Sequence, residues 1–90
     1  MSANEPQVAR VLGIIERIVG ANRTPTDRGR HTPLADGFWL DSVELLEVIV
    51  ACEQEFGIVF DEARDLDGEA FHTLGSLADL IGAKQASRLP

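Results

Sequence analysis

One serine in this chain stands where a hydroxyl has chemistry open to it. Ser42 lies in the run Leu40 to Phe56, LDSVELLEVIVACEQEF, directly after an aspartate. A serine oxygen acts as a nucleophile when a base is held against it, or accepts a phosphoryl or phosphodiester group when another protein supplies the base. Its neighbours decide between these. Asp41 falls at the N-cap of an amphipathic helix, where its carboxylate accepts a hydrogen bond from first-turn N–H groups. Glu44, three residues on, reaches back as in a capping box. Ser42 is then the first helical residue, with no capping duty, beside the positive partial charge of the helix start. That placement suits phosphorylation or a phosphodiester.

The element that must position this oxygen has two distinct faces. At about 100° per residue, Leu45, Ile49, Cys52 and Phe56 share one face with Val48 beside them, an ordinary core stripe. The opposite face holds Val43, Glu47, Val50 and Gln54, with Glu44 at its edge. Two valines thus point to water between glutamates. The bland reading is a solvated helix face. The sharper one is a docking surface for a basic, partly apolar partner.

Catalysis by the chain itself finds little support, and the chain is expected not to be an enzyme. Ser42, His31 or His72 and an aspartate make a triad only on paper, because no Gly-x-Ser-x-Gly elbow exists. Cys52 faces the predicted core, which disfavours a thiolate nucleophile. Two histidines and one cysteine show no metal-ligand spacing, and no metal is expected. The acidic stretch Asp61 to Glu69 lacks the EF-hand pattern, and no phosphate-binding Gly-x-x-x-x-Gly-Lys loop is present.

Composition narrows the partners. Ninety residues, expected to form one domain over residues 1–90, allow a single modest core. The net charge is −7, but twelve acidic residues and only Arg64 as a base lie between Asp36 and Asp79. Such a field repels nucleic-acid phosphates and anionic membranes and attracts basic protein surfaces. Neither nucleic acid nor membrane is therefore an expected partner. No apolar run approaches the roughly 20 residues that span a bilayer, and residues Met1 to Glu5 lack the basic and apolar regions of a secretory signal. The single cysteine suits a reducing compartment, so the expectation is a cytoplasmic monomer.

The remaining elements frame the serine. Val8, Leu12, Ile15 and Val19 recur at helical spacing, widened by Val11, Ile14 and Ile18, and Gly20 stops the pattern. This predicts a first helix over Glu5 to Val19. Residues 21–40 form a long connection rich in breakers, with Leu34, Phe38, Trp39 and Leu40 expected to anchor it by packing on the core; the alternative is that the Phe38-Trp39 pair borders a ligand groove beside the serine. Gly57 ends the second helix, and Ile58-Val59-Phe60 is read as a loop plugging the core. A short helix is expected around 61–66 or 67–71, with Ala63 and Leu66 inward. Thr73 caps a last helix to about Ala86, with Leu77, Leu80 and Ile81 inward. The result is an all-α bundle of three longer helices and one short one.

These residues also carry a resemblance. Leu40-Asp41-Ser42-Val43-Glu44-Leu45, the acidic helix ending Glu53-Gln54-Glu55-Phe56-Gly57-Ile58, and the downstream Phe71 to Ile81 resemble the acyl carrier protein family over residues 5–85. The resemblance implies a four-helix bundle with a long first loop and a 4′-phosphopantetheine arm, taken from coenzyme A, on Ser42. It implies a discrete, non-catalytic carrier that holds intermediates as thioesters. Its partners would be a phosphopantetheinyl transferase and acyl-loading and acyl-processing enzymes with basic docking surfaces. These would meet Asp41, Val43, Glu44, Glu47, Val50 and Gln54. Val43 stands where the family usually has leucine, and Trp39-Leu40 replace a glycine-containing approach, which points to a dedicated, secondary-metabolite type pathway. A peptidyl carrier loading an amino acid and an unmodified acidic adaptor are the alternatives. Gly75-Ser76-Leu77 echoes the motif but lacks the aspartate.

Overall fold

A computed structural model describes residues 5–20, 28–61, 65 and 71–87. Three helices run in order: α1 over Glu5–Val19, α2 over Ser42–Phe56 and α3 over Leu74–Ser87. No strand occurs among the described residues, and the one β contact is an isolated antiparallel bridge between Pro33 and Thr73. The architecture is the all-helical one expected. The expected short helix falls mostly outside the described residues, as do Ala63 and Leu66. Asp65 itself is helical, and its N–H donates to the Asp61 carbonyl at 2.7 Å.

α1 is the hub, packing against both α2 and α3. That double duty explains its burial pattern. Val8, Val11, Ile14 and Ile15 are buried, whereas Leu12, Ile18 and Val19 are only partly so. A helix facing two neighbours needs a stripe broader than one centred on Leu12 and Val19. Gly20, at φ +84°, ends α1 and donates its N–H to Glu16. Gln7 Nε2 also donates to Gln85 Oε1, linking α1 to α3.

α2 contributes Val48, Ile49, Cys52 and Phe56 to the core, with Leu45 half-buried at its edge. Gly57 takes the left-handed conformation (φ +65°), and both Gly57 and Ile58 donate to the Glu53 carbonyl. The next residues alternate: Ile58 and Phe60 are buried and Val59 is 77% exposed. The expected plugging loop is therefore present through Ile58 and Phe60, while Val59 corrects the expectation, since successive residues of an extended segment point to opposite sides. The Glu53 carboxylate holds it by accepting from Phe60 N–H at 2.9 Å.

The described part of the first connection is stitched to the start of α3. Leu34 N–H donates to His72 O, Leu74 N–H to Thr32 O, and Gly75 N–H to Arg30 O, all within 3.0 Å. Gly75 permits this approach, because a Cβ there would lie 2.9 Å from the Arg30 carbonyl oxygen. Leu34 and Phe38 fill the core as expected, and Leu40 packs partly against it. Trp39 corrects the expectation. It is 67% exposed at φ +57°, because Phe38 before it turns inward and the left-handed backbone at residue 39 ends the turn over residues 34–38.

Two predictions follow from this packing. Phe38→Ala removes a fully buried ring that fastens the loop, so urea unfolding should show a loss of about 3–5 kcal/mol. Burial, reinforced by Glu55 and Glu53, pushes the Cys52 thiol up to about 12. Iodoacetamide at pH 8 should therefore label Cys52 only as fast as the protein unfolds. Glu55 tests pH dependence. Its hydrogen bond and ion pair with Arg10, at 2.7 Å, hold its carboxyl below the ordinary value of 4.5. That contribution is present above pH 4.5 and fades as the pH falls through the lowered value. Glu55→Gln should make the acid limb of the stability profile shallower, as read by unfolding midpoints between pH 3 and 6.

Candidate functional site

The start of α2 carries the expected capping box in full. Asp41, with extended backbone, accepts Glu44 N–H on its Oδ1 at 2.7 Å, and Asp41 N–H donates to Glu44 Oε1 at 3.2 Å. Ser42 follows as the first helical residue and is exposed. Among the described residues, its side chain makes no hydrogen bond, and no protein acceptor faces the Ser42 or Val43 N–H.

Ser76, the other serine in a similar sequence setting, is in the opposite situation. Thr73 caps α3 by accepting Ser76 N–H on Oγ1 at 3.0 Å, and Thr73 N–H donates to Ser76 Oγ at 3.0 Å. Ser76 Oγ–H in turn donates to the Thr73 carbonyl at 2.9 Å. The Leu74 and Gly75 N–H groups are taken by loop carbonyls. The first three donors of α3 are thus paired within the protein and its serine is partly buried, whereas α2 keeps an exposed oxygen beside donors without protein partners. An anionic group on Ser42 would meet those N–H groups and the positive end of the helix. The residues present fit a phosphodiester there.

The surface around Ser42 is acidic and apolar together. Val43 is 64% and Val50 50% exposed, and Glu47 is exposed. Glu44 is half-buried. Glu47 and Asp36 have no cation against them among the described residues. Three described cations are engaged elsewhere: Arg10 with Glu55 and the Phe56 ring, Arg30 with Asp79, and Lys84 with Asp65. Gln54 lies about 18 Å along the helix from Ser42. It lines an open groove of about 390 Å³ between α1 and α2, with Ile14, Ile18 and Ala51.

Leu46 is absent from the sequence expectation of this surface, and Trp39 enters it only as the lesser alternative to core packing. Leu46 is 55% exposed, one turn beyond Ser42 on the same side. Its phase, about 60° from Val43 and 100° from Leu45, is the signal that places it outside. Trp39 had no such signal, since its outward turn depends on Leu34 and Phe38 reaching the core. Neither histidine enters a site with Ser42, and both are exposed. Among the described residues, no cluster of three His, Cys, Asp or Glu side chains is placed to hold a metal ion, and no helix is long and apolar enough to cross a membrane.

The cap has a measurable value. Asp41→Ala should cost about 1 kcal/mol in urea unfolding, and Asp41→Asn, which keeps the acceptor, should recover most of it.

Among known families, the model described as "Phosphopantetheine attachment site" matches residues 9–81, a span that takes in all of α2. No curated protein matches the chain.

Proposed function

The chain belongs to the phosphopantetheine attachment-site family, whose members carry 4′-phosphopantetheine covalently, and from that premise we propose that Ser42 holds the arm. The observation that carries this reading is the contrast between the two serines. Ser42 offers an exposed oxygen with no structural duty, while Ser76 is partly buried in a closed set of bonds. In the transfer, Ser42 Oγ attacks the β-phosphorus of coenzyme A and forms a new O–P bond. The bond to the adenosine bisphosphate half breaks, and the serine proton passes to a base on the transferase. When bound, the arm supplies a flexible tether whose terminal thiol holds an acyl group as a thioester.

The chain's own residues prepare that event without taking part in bond making. Asp41 and Glu44 fix the first turn of α2 and leave the Ser42 hydroxyl free to rotate toward a partner. The N–H groups of Ser42 and Val43, at the positive end of α2, would stabilise the negative charge of a phosphodiester held on Ser42. Cys52 is kept as a buried thiol, so acyl transfer is directed to the arm rather than to the protein. Glu47 and Asp41 present negative charge to the transferase and to acyl-loading and acyl-processing enzymes, and Val43 and Val50 give them apolar contact. Gln54 extends this face toward the end of α2. In this reading residues 1–90 contain one non-catalytic carrier domain, a cytoplasmic monomer serving a dedicated pathway. The valine at 43 and the Trp39-Leu40 approach support that last point.

Incubation with coenzyme A and a broad-specificity phosphopantetheinyl transferase should add the mass of one arm to the wild type and nothing to Ser42→Ala. Native thiol titration should then rise from no accessible thiol to one. Absence of mass gain while a control carrier is modified would contradict the proposal, and gain retained in Ser42→Ala would place the arm elsewhere. Glu47→Lys should weaken acyl loading by a cognate enzyme several-fold through KM, with the melting temperature nearly unchanged. Loading indifferent to that charge reversal would remove Glu47 from the docking face.

A further inference from the structure

Trp39 is the single tryptophan of the chain, and its placement goes against two ordinary preferences at once. Its backbone is left-handed (φ +57°), the one non-glycine residue with positive φ among those described, where a bulky L side chain crowds its own backbone. Its side chain is 67% exposed, so burial gives little in return. Glycine would adopt this conformation without strain. The flanking structure enforces it: Phe38 is fully buried on one side, Leu40 packs against the core on the other, and Leu40 N–H donates to Leu34 O at 3.4 Å. The turn over residues 34–38 therefore ends in a left-handed residue that carries the largest apolar side chain outward, three positions before Ser42. Strain of this kind is characteristic of residues held in place for use.

We propose that Trp39 is the principal apolar anchor for enzymes that act at Ser42, received in an apolar pocket rimmed by lysine or arginine. This inference rests on the reading of Ser42 as the modified residue. The size of an interface supports it. A specific protein contact covers about 800 Å² per partner, roughly a seventh of the 5491 Å² surface of this chain, so an enzyme reaching Ser42 Oγ also covers a residue three positions away. Val43 and Leu46, in the first turns of α2 beside Ser42, are also exposed apolar residues. Asp36, Asp41 and Glu47, all within eight residues of Trp39 in the chain, are exposed, which sets the charge of the complementary rim. A large aromatic within a partly charged surface is the residue type that dominates such contacts.

The test uses the chain before any arm is attached, with coenzyme A and the broad-specificity transferase, following mass gain against chain concentration. Trp39→Ala should raise the KM for the chain at least ~5-fold with kcat within about twofold, and Trp39→Phe should recover most of the loss. Trp39→Gly should show the same rise in KM with a melting temperature equal to or above that of the wild type, because the strain is relieved. Equal KM values for wild type and Trp39→Ala would overturn the proposal. So would a lowered melting temperature in both Trp39→Ala and Trp39→Gly, which would make the indole a part of the fold. An effect seen only once the arm is in place would assign the indole to the arm and also overturn it. A wild type left unmodified beside a modified control would overturn the Ser42 reading and this one together, whereas a modified wild type with an unmodified Ser42→Ala isolates the question of Trp39.

Discussion

Two hydrogen bonds across a single helical turn, Glu44 N–H to Asp41 Oδ1 and Asp41 N–H to Glu44 Oε1, decide what Ser42 is free to do. A helix start has orphan N–H groups, and some side chain must answer for them. At α3 the same need is met by Thr73 and Ser76, and there the serine is absorbed into the cap. At α2 an aspartate and a glutamate share the duty, and the intervening serine is left over. Both are capping boxes with residues three apart, yet one leaves an oxygen for chemistry and the other does not. The choice of which residue caps is therefore also the choice of which hydroxyl can be modified.

That local arrangement depends on a larger one. α1 holds α2 and α3 to a common core, and the stretch from Arg28 to Leu40 joins them a second time through backbone bonds to the start of α3. Leu34 and Phe38 drive the stretch inward, each burying a side chain worth roughly 1.5–3 kcal/mol before entropy. With Phe38 fixed, Leu40 and Asp41 enter α2 from a set direction. The exposed Trp39 and the unobstructed Ser42 are consequences of the same anchoring. Charge follows a similar division. Arg10, Arg30 and Lys84 are engaged by Glu55, Asp79 and Asp65, so the acidic surface near Ser42 keeps its field.

Much of this was legible in the sequence where the cause is local. The limits of α1, the Asp41–Glu44 and Thr73 caps, the Gly57 stop and the inward Ile58 and Phe60 all follow from residue types within a turn or two of one another. The valines at 43 and 50 were placed outward by phase alone. What escaped depends on contacts between distant parts of the chain. The burial of Val11 and Ile14 over Leu12 reflects two helices bearing on α1. The stitching of residues 30–34 to residues 72–75 spans about forty positions and uses backbone groups, which leave no trace in side-chain pattern. Trp39 was placed first with its core-packing neighbours and only second at a groove, because composition cannot show which way a loop residue turns.

The central claim is that the Ser42 hydroxyl carries no structural load, and paired urea unfolding of Ser42→Ala and Ser76→Ala measures it most directly. Ser42→Ala should lie within about 0.5 kcal/mol of the wild type, with alanine's helix propensity offsetting the small loss of hydration. Ser76→Ala should cost about 1 kcal/mol, since it leaves Thr73 N–H without its acceptor. A loss of 1 kcal/mol or more in Ser42→Ala (roughly the value of a cap) would show that the oxygen is already in use, and would contradict the account.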